Sequence, residues 1–185
     1  MPEPFLRMPS WEEILITFGL SAINPILHPR FSTLYEQGNM EKLQELVTQS
    51  SLAIFVLAII PAVIFVLFGE HLIGFTFGKE YMSGAIPLKI LVIGQLANAS
   101  FGSVGALLNM TGHEKDAMKV MICSFGLYVL ICFVFIPIYG VIGAAISNAI
   151  ALIFWNVVLR YYVKKRLNIE SVGLLKIHNQ KRIIL

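Results

Sequence analysis

The chain has 185 residues, 57% of them hydrophobic and 14% charged, with a formal net charge of +3 and a mean hydropathy of +0.76. Soluble domains run nearer half apolar with about a quarter charged, so this composition points to an integral membrane protein. The small net charge speaks against a nucleic-acid partner, and the basic residues sit beside apolar runs, where they orient a membrane protein. Two cysteines, Cys123 and Cys132, are nine apart in one apolar run. On a helix they point to opposite faces and cannot pair with each other, so they read as small buried apolar residues.

In chain order, the N-terminal MPEPFLRMPSWEEIL lacks the basic-then-apolar order of a signal peptide. Ile14 to Leu27 is a short, partial span beginning beside Glu12 and Glu13. Asn39 is placed to cap a helix on which Met40, Leu43, Leu46 and Val47 share one face. That pattern predicts a short amphipathic helix on the cytoplasmic surface, running into the first full span. The first span is Ser51 to Phe68, with Pro61 near its middle predicting a kink. GEHLIGFTFGKEYMSG follows as an interfacial loop. The second span is Ala85 to Met110, the third Met118 to Ile136, stopping at Pro137, and the fourth Gly140 to Tyr162. Each is close to the roughly 20 apolar residues that a spanning helix needs.

Basic residues alternate between rich and poor links. Arg30 and Lys42 precede the first span, Lys79 alone follows it, Lys115 and Lys119 separate the second and third, and IPIYG has none. Arg160, Lys164, Lys165 and Arg166 close the fourth span, with Lys176, Lys181 and Arg182 beyond. The positive-inside rule puts the rich links and the C-terminus in the cytoplasm.

Polar residues inside the spans are the candidates for function. Gln95, Asn98, Gly102, Gly105 and Asn109 are spaced three, four, three and four, which is one stripe of a helix. Lipid gives amides no hydrogen-bond partner, so the stripe faces protein or a water-filled cavity. It is either a helix-packing seam, with Gly102 and Gly105 admitting another backbone, or a cavity wall touched by a polar cargo. Gln95, Asn98 and Asn109 are therefore substrate-pathway candidates. Lys89 is a fourth, near the outer end of the second span and almost opposite the stripe. There it either snorkels to the headgroups or meets an anionic cargo. In the fourth span Gly143, Ser147 and Ala151 are four apart, with Gly140, Ala144 and Asn148 beside them, forming a packing face. Trp155 with Arg160, Tyr161 and Tyr162 resembles an interfacial belt.

None of the four full spans holds an acidic residue, and the four histidines lie outside them without ligand spacing. There is no nucleophile motif and no glycine-rich phosphate loop. No metal, no cofactor and no enzymatic reaction are expected; the chemistry is movement.

The stretches LSAINPILHPRFSTLYEQGNMEKLQELV, FGKEY, LKILVIGQLANASFGSVGALLNMTGHEK and IPIYGVIGAAISNAIALIFWN, in that order, resemble the C-terminal half of polysaccharide flippases. These are the Wzx-like O-antigen and teichoic-acid exporters of the MOP superfamily, relatives of the MATE and lipid II flippases. The resemblance covers residues 14 to 168, leaving a divergent segment at 1–13 and a basic cytoplasmic tail at 169–185. It implies an all-α membrane lobe, the second of two six-helix lobes around a central cavity open to one side at a time. The implied cargo is a polyprenyl-pyrophosphate-linked oligosaccharide, turned to the outer leaflet of the bacterial cytoplasmic membrane. Alternating access needs two bodies. The implied partners are thus the lipid bilayer, the lipid-linked oligosaccharide, and a missing N-terminal lobe or polysaccharide assembly proteins, and the chain alone is expected to be an inactive fragment. Three rivals remain. A MATE-like cation or drug antiporter half is disfavoured because no carboxylate lies in the spans. A non-transporting scaffold of a polysaccharide assembly complex would use the polar stripe for docking. A membrane glycosyltransferase or polymerase is disfavoured by the short loops.

Overall fold

The computed structural model describes residues 27–170, and these are helical with no strand among them. Residues 27–36 form α1 as far as it is described. There follow α2 (Met40–Thr76), a 3-10 turn (Lys79–Gly84), α3 (Ala85–Phe101), α4 (Val104–Met110), α5 (Glu114–Tyr139) and α6 (Val141–Leu167). Four helical stretches are long and apolar enough to cross a membrane: α2, the 3-10 turn with α3, α5 and α6. The divergent N-terminus, nearly all of the partial span Ile14 to Leu27, and residues 171–185 of the tail lie outside the described residues.

Asn39 caps α2 as its position suggests, its side-chain oxygen accepting the Lys42 N–H at 3.2 Å. The helix then runs unbroken for 37 residues, about 55 Å at 1.5 Å per residue. That is well beyond the ~30 Å hydrocarbon layer. The expected surface helix and first span are one rod, and GEHLIGFT extends it instead of forming a loop. Nothing there interrupts the i→i−4 ladder until Gly78, whose φ of +101° ends it. Pro61 lies inside the rod.

The predicted second span is two helices, because the chain breaks at Gly102 (φ +67°, ψ −154°). The Gly102 N–H closes α3 on the Ala99 carbonyl at 3.1 Å, and α4 restarts two residues on for only seven residues. At the third span the difference is opposite. Pro137 sits within the last turn of α5, which continues to Tyr139. A proline there removes a single ladder bond and leaves the rest intact. The reversal falls to Gly140 alone (φ +57°). Its N–H bonds the Ile136 carbonyl at 2.8 Å and its carbonyl accepts the Ala144 N–H at 3.2 Å.

Laterally, α3 packs between α2 and α6, α6 also packs on α5, and α4 lies against α5 and α6. The apolar interior is in two pieces. At the end carrying the basic residues, Phe31, Leu43, Val47, Leu107, Leu108, Leu159 and Val163 form one buried cluster. Towards the other end Ala62, Leu88 and Val92 form a second, smaller one. Large apolar side chains cover much of the outside, Phe75 at 94% exposed and Phe133 at 78% among them. Such a surface is a liability in water and the normal outside of a bundle in lipid. Cys123 shares it, being exposed, while Cys132 is half-buried; neither is in the core as expected.

Ion pairs tie the basic end together. Arg166 bonds Asp116 at 2.8 Å, joining the end of α6 to the start of α5. The first tail residues are docked: Ile169 is buried, and the Glu170 backbone exchanges two 2.7 Å hydrogen bonds with the Gln44 side chain of α2. The Glu170 carboxylate accepts from Lys164 and Arg160. Chiefly through the Lys164 bond, and against a smaller opposing effect of burial, its pKa lies below the ordinary glutamate value. A depressed folded value stabilises above the unfolded pKa, and that contribution is lost as pH falls through the folded one. Acidification below about pH 4.3 is therefore expected to loosen this docking. The loss should be under about 1 kcal/mol because the pair is solvent-facing. Comparing unfolding from pH 6 to 3 for the wild type and Glu170→Gln checks it; the variant should lack this component.

Candidate functional site

The centre of the bundle holds an amide cluster. Asn156 of α6 is 2% exposed. Its Nδ2 donates to the Asn98 Oδ1 at 2.8 Å and to its own helix at the Leu152 carbonyl, also at 2.8 Å. The Asn98 Nδ2 in turn donates to the Gln95 Oε1 at 3.2 Å. Gln95 and Asn98 are half-buried, and the Gln95 Nε2 has no hydrogen bond among the described residues. The three amides thus bridge α3 to α6 and leave donor capacity at the Gln95 end.

Gln95 and Asn98 are therefore brought together, and Asn109 is not with them. The break at Gly102 places Asn109 on α4, where it is exposed. The stripe is real on α3 and ends there. Lys89 has no ion pair or side-chain hydrogen bond among the described residues. It lies half-buried between Ile86 and Ile93, which are 57% and 60% exposed, on an outward stripe of α3.

Gly102 and Gly143 sit at close approaches, whereas Gly105 meets only side chains at ordinary contact distance and admits no other backbone. A Cβ on Gly102 would fall 2.0 Å from the Ser51 Oγ of α2, and one on Gly143 would fall 2.2 Å from the Phe135 carbonyl oxygen of α5. Gly105 faces Leu159 at 3.5 Å by the same construction. Ser147 is fully buried with its hydroxyl on the Gly143 carbonyl at 2.7 Å, and Ala151 is buried below it. Asn148, grouped by sequence with that packing face, is exposed instead. Ser51 is 2% exposed, and its hydroxyl has no hydrogen-bond partner among the described residues, pressed against the backbone where α3 ends.

Sequence reading singled out Gln95 and Asn98 but missed Asn156, the most buried amide of the three. Its signal was present: a lone amide within LIFWNVVL needs a partner in a membrane, and the amides of another span are where to look. Replacing Asn156 by alanine leaves the Asn98 Oδ1 without its donor, and the expected loss is about 1–2 kcal/mol. The double variant with Asn98→Ala should cost clearly less than the sum of the two single changes. Unfolding in detergent measures all three, and simple additivity would mean that the 2.8 Å bond carries no coupling.

These features define a multi-pass helical membrane protein with four helical stretches among the described residues long and apolar enough to span a membrane, and a polar seam between two of them. No family model matches the chain, and no solved structure matches it at a significant level. Among curated proteins it is similar to the capsular polysaccharide biosynthesis protein CapF of Staphylococcus aureus, 26% identical over 156 residues, covering 83% of this chain and 39% of CapF. It is similar to the probable low-salt glycan biosynthesis flippase Agl15 of Haloferax volcanii, 22% identical over 163 residues, covering 87% of this chain and 34% of that protein. An uncharacterized membrane protein of Methanocaldococcus jannaschii is 25% identical over 135 residues, covering 72% of this chain and 26% of the relative. The chain spans only 26% to 39% of the length of these relatives. Together they support a polysaccharide flippase-like membrane protein.

Proposed function

We propose that the chain forms the second lobe of a Wzx-like flippase of the MOP superfamily. That lobe helps to turn a polyprenyl-pyrophosphate-linked oligosaccharide across a bacterial cytoplasmic membrane for cell-surface polysaccharide biosynthesis. The observation that carries this reading is the amide seam of Gln95, Asn98 and Asn156, uncharged and set between spans that hold no carboxylate. Amides in that position support passage of a hydroxyl-rich cargo and give little purchase to a coupled cation. The names of CapF and Agl15 point the same way. The basic end, with Lys115, Lys119, Lys164, Lys165 and Arg166, faces the cytoplasm, as does the C-terminus. The lobe moves its cargo and carries out no bond chemistry.

A rocking transporter needs a second body, so activity is expected only with a first lobe. The test is export of surface polysaccharide in a strain lacking its flippase. The chain is supplied alone or with the first six helices of a related flippase. Export with both and not with either supports the reading. Export by the chain alone would overturn the two-lobe part. No export despite both lobes being in the membrane would overturn the flippase part, and cation-dependent dye efflux by the pair would replace it with an antiporter.

A further inference from the structure

α3 and α6 run parallel, because their contacts advance together along both. A Cβ on Gly94 would lie 3.1 Å from the Ala149 Cβ, and further on Asn98 meets Asn156 at 2.8 Å. Successive residues of a helix turn by about 100° in one sense. In a parallel pair, the residue after the contact on one helix and the residue before it on the other therefore emerge on the same side. At the Gly94–Ala149 contact these residues are Gln95 and Asn148. The other side receives Ile93 and Ile150.

The two sides differ in chemistry. Ile93 and Ile150 are 60% and 40% exposed, and Ile153 and Val157 continue that side of α6 at 40% and 49%. Lys89, four residues before Ile93, leans the same way and lies near the outer end of α3. This is a surface for lipid, with a lysine placed to snorkel. On the other side Asn148 is exposed two turns inside a 27-residue helix. Gln95 is beside it with an unused amide nitrogen. An exposed amide at that depth has no partner in hydrocarbon. Trp155, seven residues after Asn148 and so on the same side, is half-buried, with its ring edge 4.0 Å from a Cβ built on Gly105 of α4.

The geometry points to the Gln95–Asn148 side of the α3–α6 pair as a wall that contacts a neutral glycan, with the Ile93–Ile150 side turned to lipid. The glycan part rests on the flippase reading above; the sidedness does not. Each amide presents two donors and an acceptor without charge, which suits sugar hydroxyls. The indole adds an apolar, oriented surface beside them, the usual makeup of a pocket for an organic ligand. Lys89, the one charged residue of α3, lies on the opposite side, so a diphosphate is not what this wall recognises.

The test uses single cysteines in a chain carrying Cys123→Ala and Cys132→Ala, in membrane vesicles. Asn148→Cys is expected to react with a small cationic thiol reagent at least tenfold faster than Ile150→Cys or Ile153→Cys. Short-chain isoprenyl diphosphate bearing an oligosaccharide should slow the reaction at Asn148→Cys severalfold, and sugar-free isoprenyl diphosphate should not. Equal rates at 148 and 150 overturn the sidedness, whatever the protein transports. Fast labelling that no glycan slows, or equal protection by the sugar-free lipid, overturns the glycan wall while leaving the sidedness standing. Crosslinking from Asn148→Cys to another protein, with slow labelling, overturns the wall in favour of a protein interface. No export in the two-lobe test with the 148 and 150 rates still apart would remove the flippase reading, and the glycan part that rests on it, while the sidedness stands.

Discussion

Gly102→Ala is expected to leave little folded protein. Two independent effects add at this position. With φ +67° and ψ −154°, the backbone is in a region essentially reserved for glycine, and a side chain there costs about 1–3 kcal/mol. The new methyl would also sit 2.0 Å from the Ser51 Oγ, 2.7 Å from its Cβ and 3.0 Å from its Cα. Overpacking of a tight interior typically costs about 1–3 kcal/mol more. The sum is a large share of the roughly 5–15 kcal/mol by which a domain is stable. The measurement is the yield of monodisperse protein in mild detergent and its thermal midpoint. The two effects separate in the double variant Ser51→Gly with Gly102→Ala. Removing the Ser51 side chain relieves the two closest overlaps and leaves the tight contact with its Cα and the backbone strain, so a partial recovery is expected. That recovery is offset by about 1 kcal/mol for a glycine within α2. A fully stable Gly102→Ala protein would mean that the chain does not break there against α2.

The same glycine shows why part of the architecture was legible and part was not. The four spans could be read because each is a long apolar run whose signal accumulates over many residues, and α2, α3 with α4, α5 and α6 cover them. The break inside the second span could not. Gln95, Asn98, Gly102, Gly105 and Asn109 keep helical spacing across it, and nothing local says that Gly102 leaves the helix. What the break stands against is Ser51, about fifty residues away on another helix. Asn109 was therefore grouped with amides from which the fold separates it. Asn156 was passed over because it completes the seam only once α6 lies against α3. Link lengths failed for a related reason. GEHLIGFT is aromatic and glycine-bearing yet contains no obligatory breaker, so α2 simply continues. Pro137 is a breaker by type but stands so near the end of α5 that it removes one bond only. Asn148 shows the limit of spacing as a guide to packing. It neighbours Gly143, Ser147 and Ala151 in sequence, and one step of the helix carries it off their face.

Gly143→Ala is expected to be the second severe substitution, and for a different reason. Gly143 is in the first turn of α6 and its backbone conformation is ordinary, so there is no strain to relieve. The obstacle is the backbone of α5: the added methyl would stand 2.2 Å from the Phe135 carbonyl oxygen, 2.5 Å from its carbon and 3.0 Å from the Ile136 nitrogen. A side chain can rotate away from such an overlap, but a helix backbone cannot. The helices would have to separate, and the single-residue reversal at Gly140 leaves almost no chain in which to do so. A loss of about 1–3 kcal/mol or more is expected, and a larger one for valine. Gly126 supplies the control on the same hairpin. It lies within α5, is exposed, and a Cβ there would meet nothing within 4 Å. Gly126→Ala should be neutral or stabilising by up to about 1 kcal/mol, since alanine is the better helix former. Thermal unfolding of the two variants side by side measures the contrast. If they behave alike, α6 is not seated against the α5 backbone. The α6 register that lets Asn156 reach Asn98, and turns Asn148 to the same side as Gln95, would then lose its support.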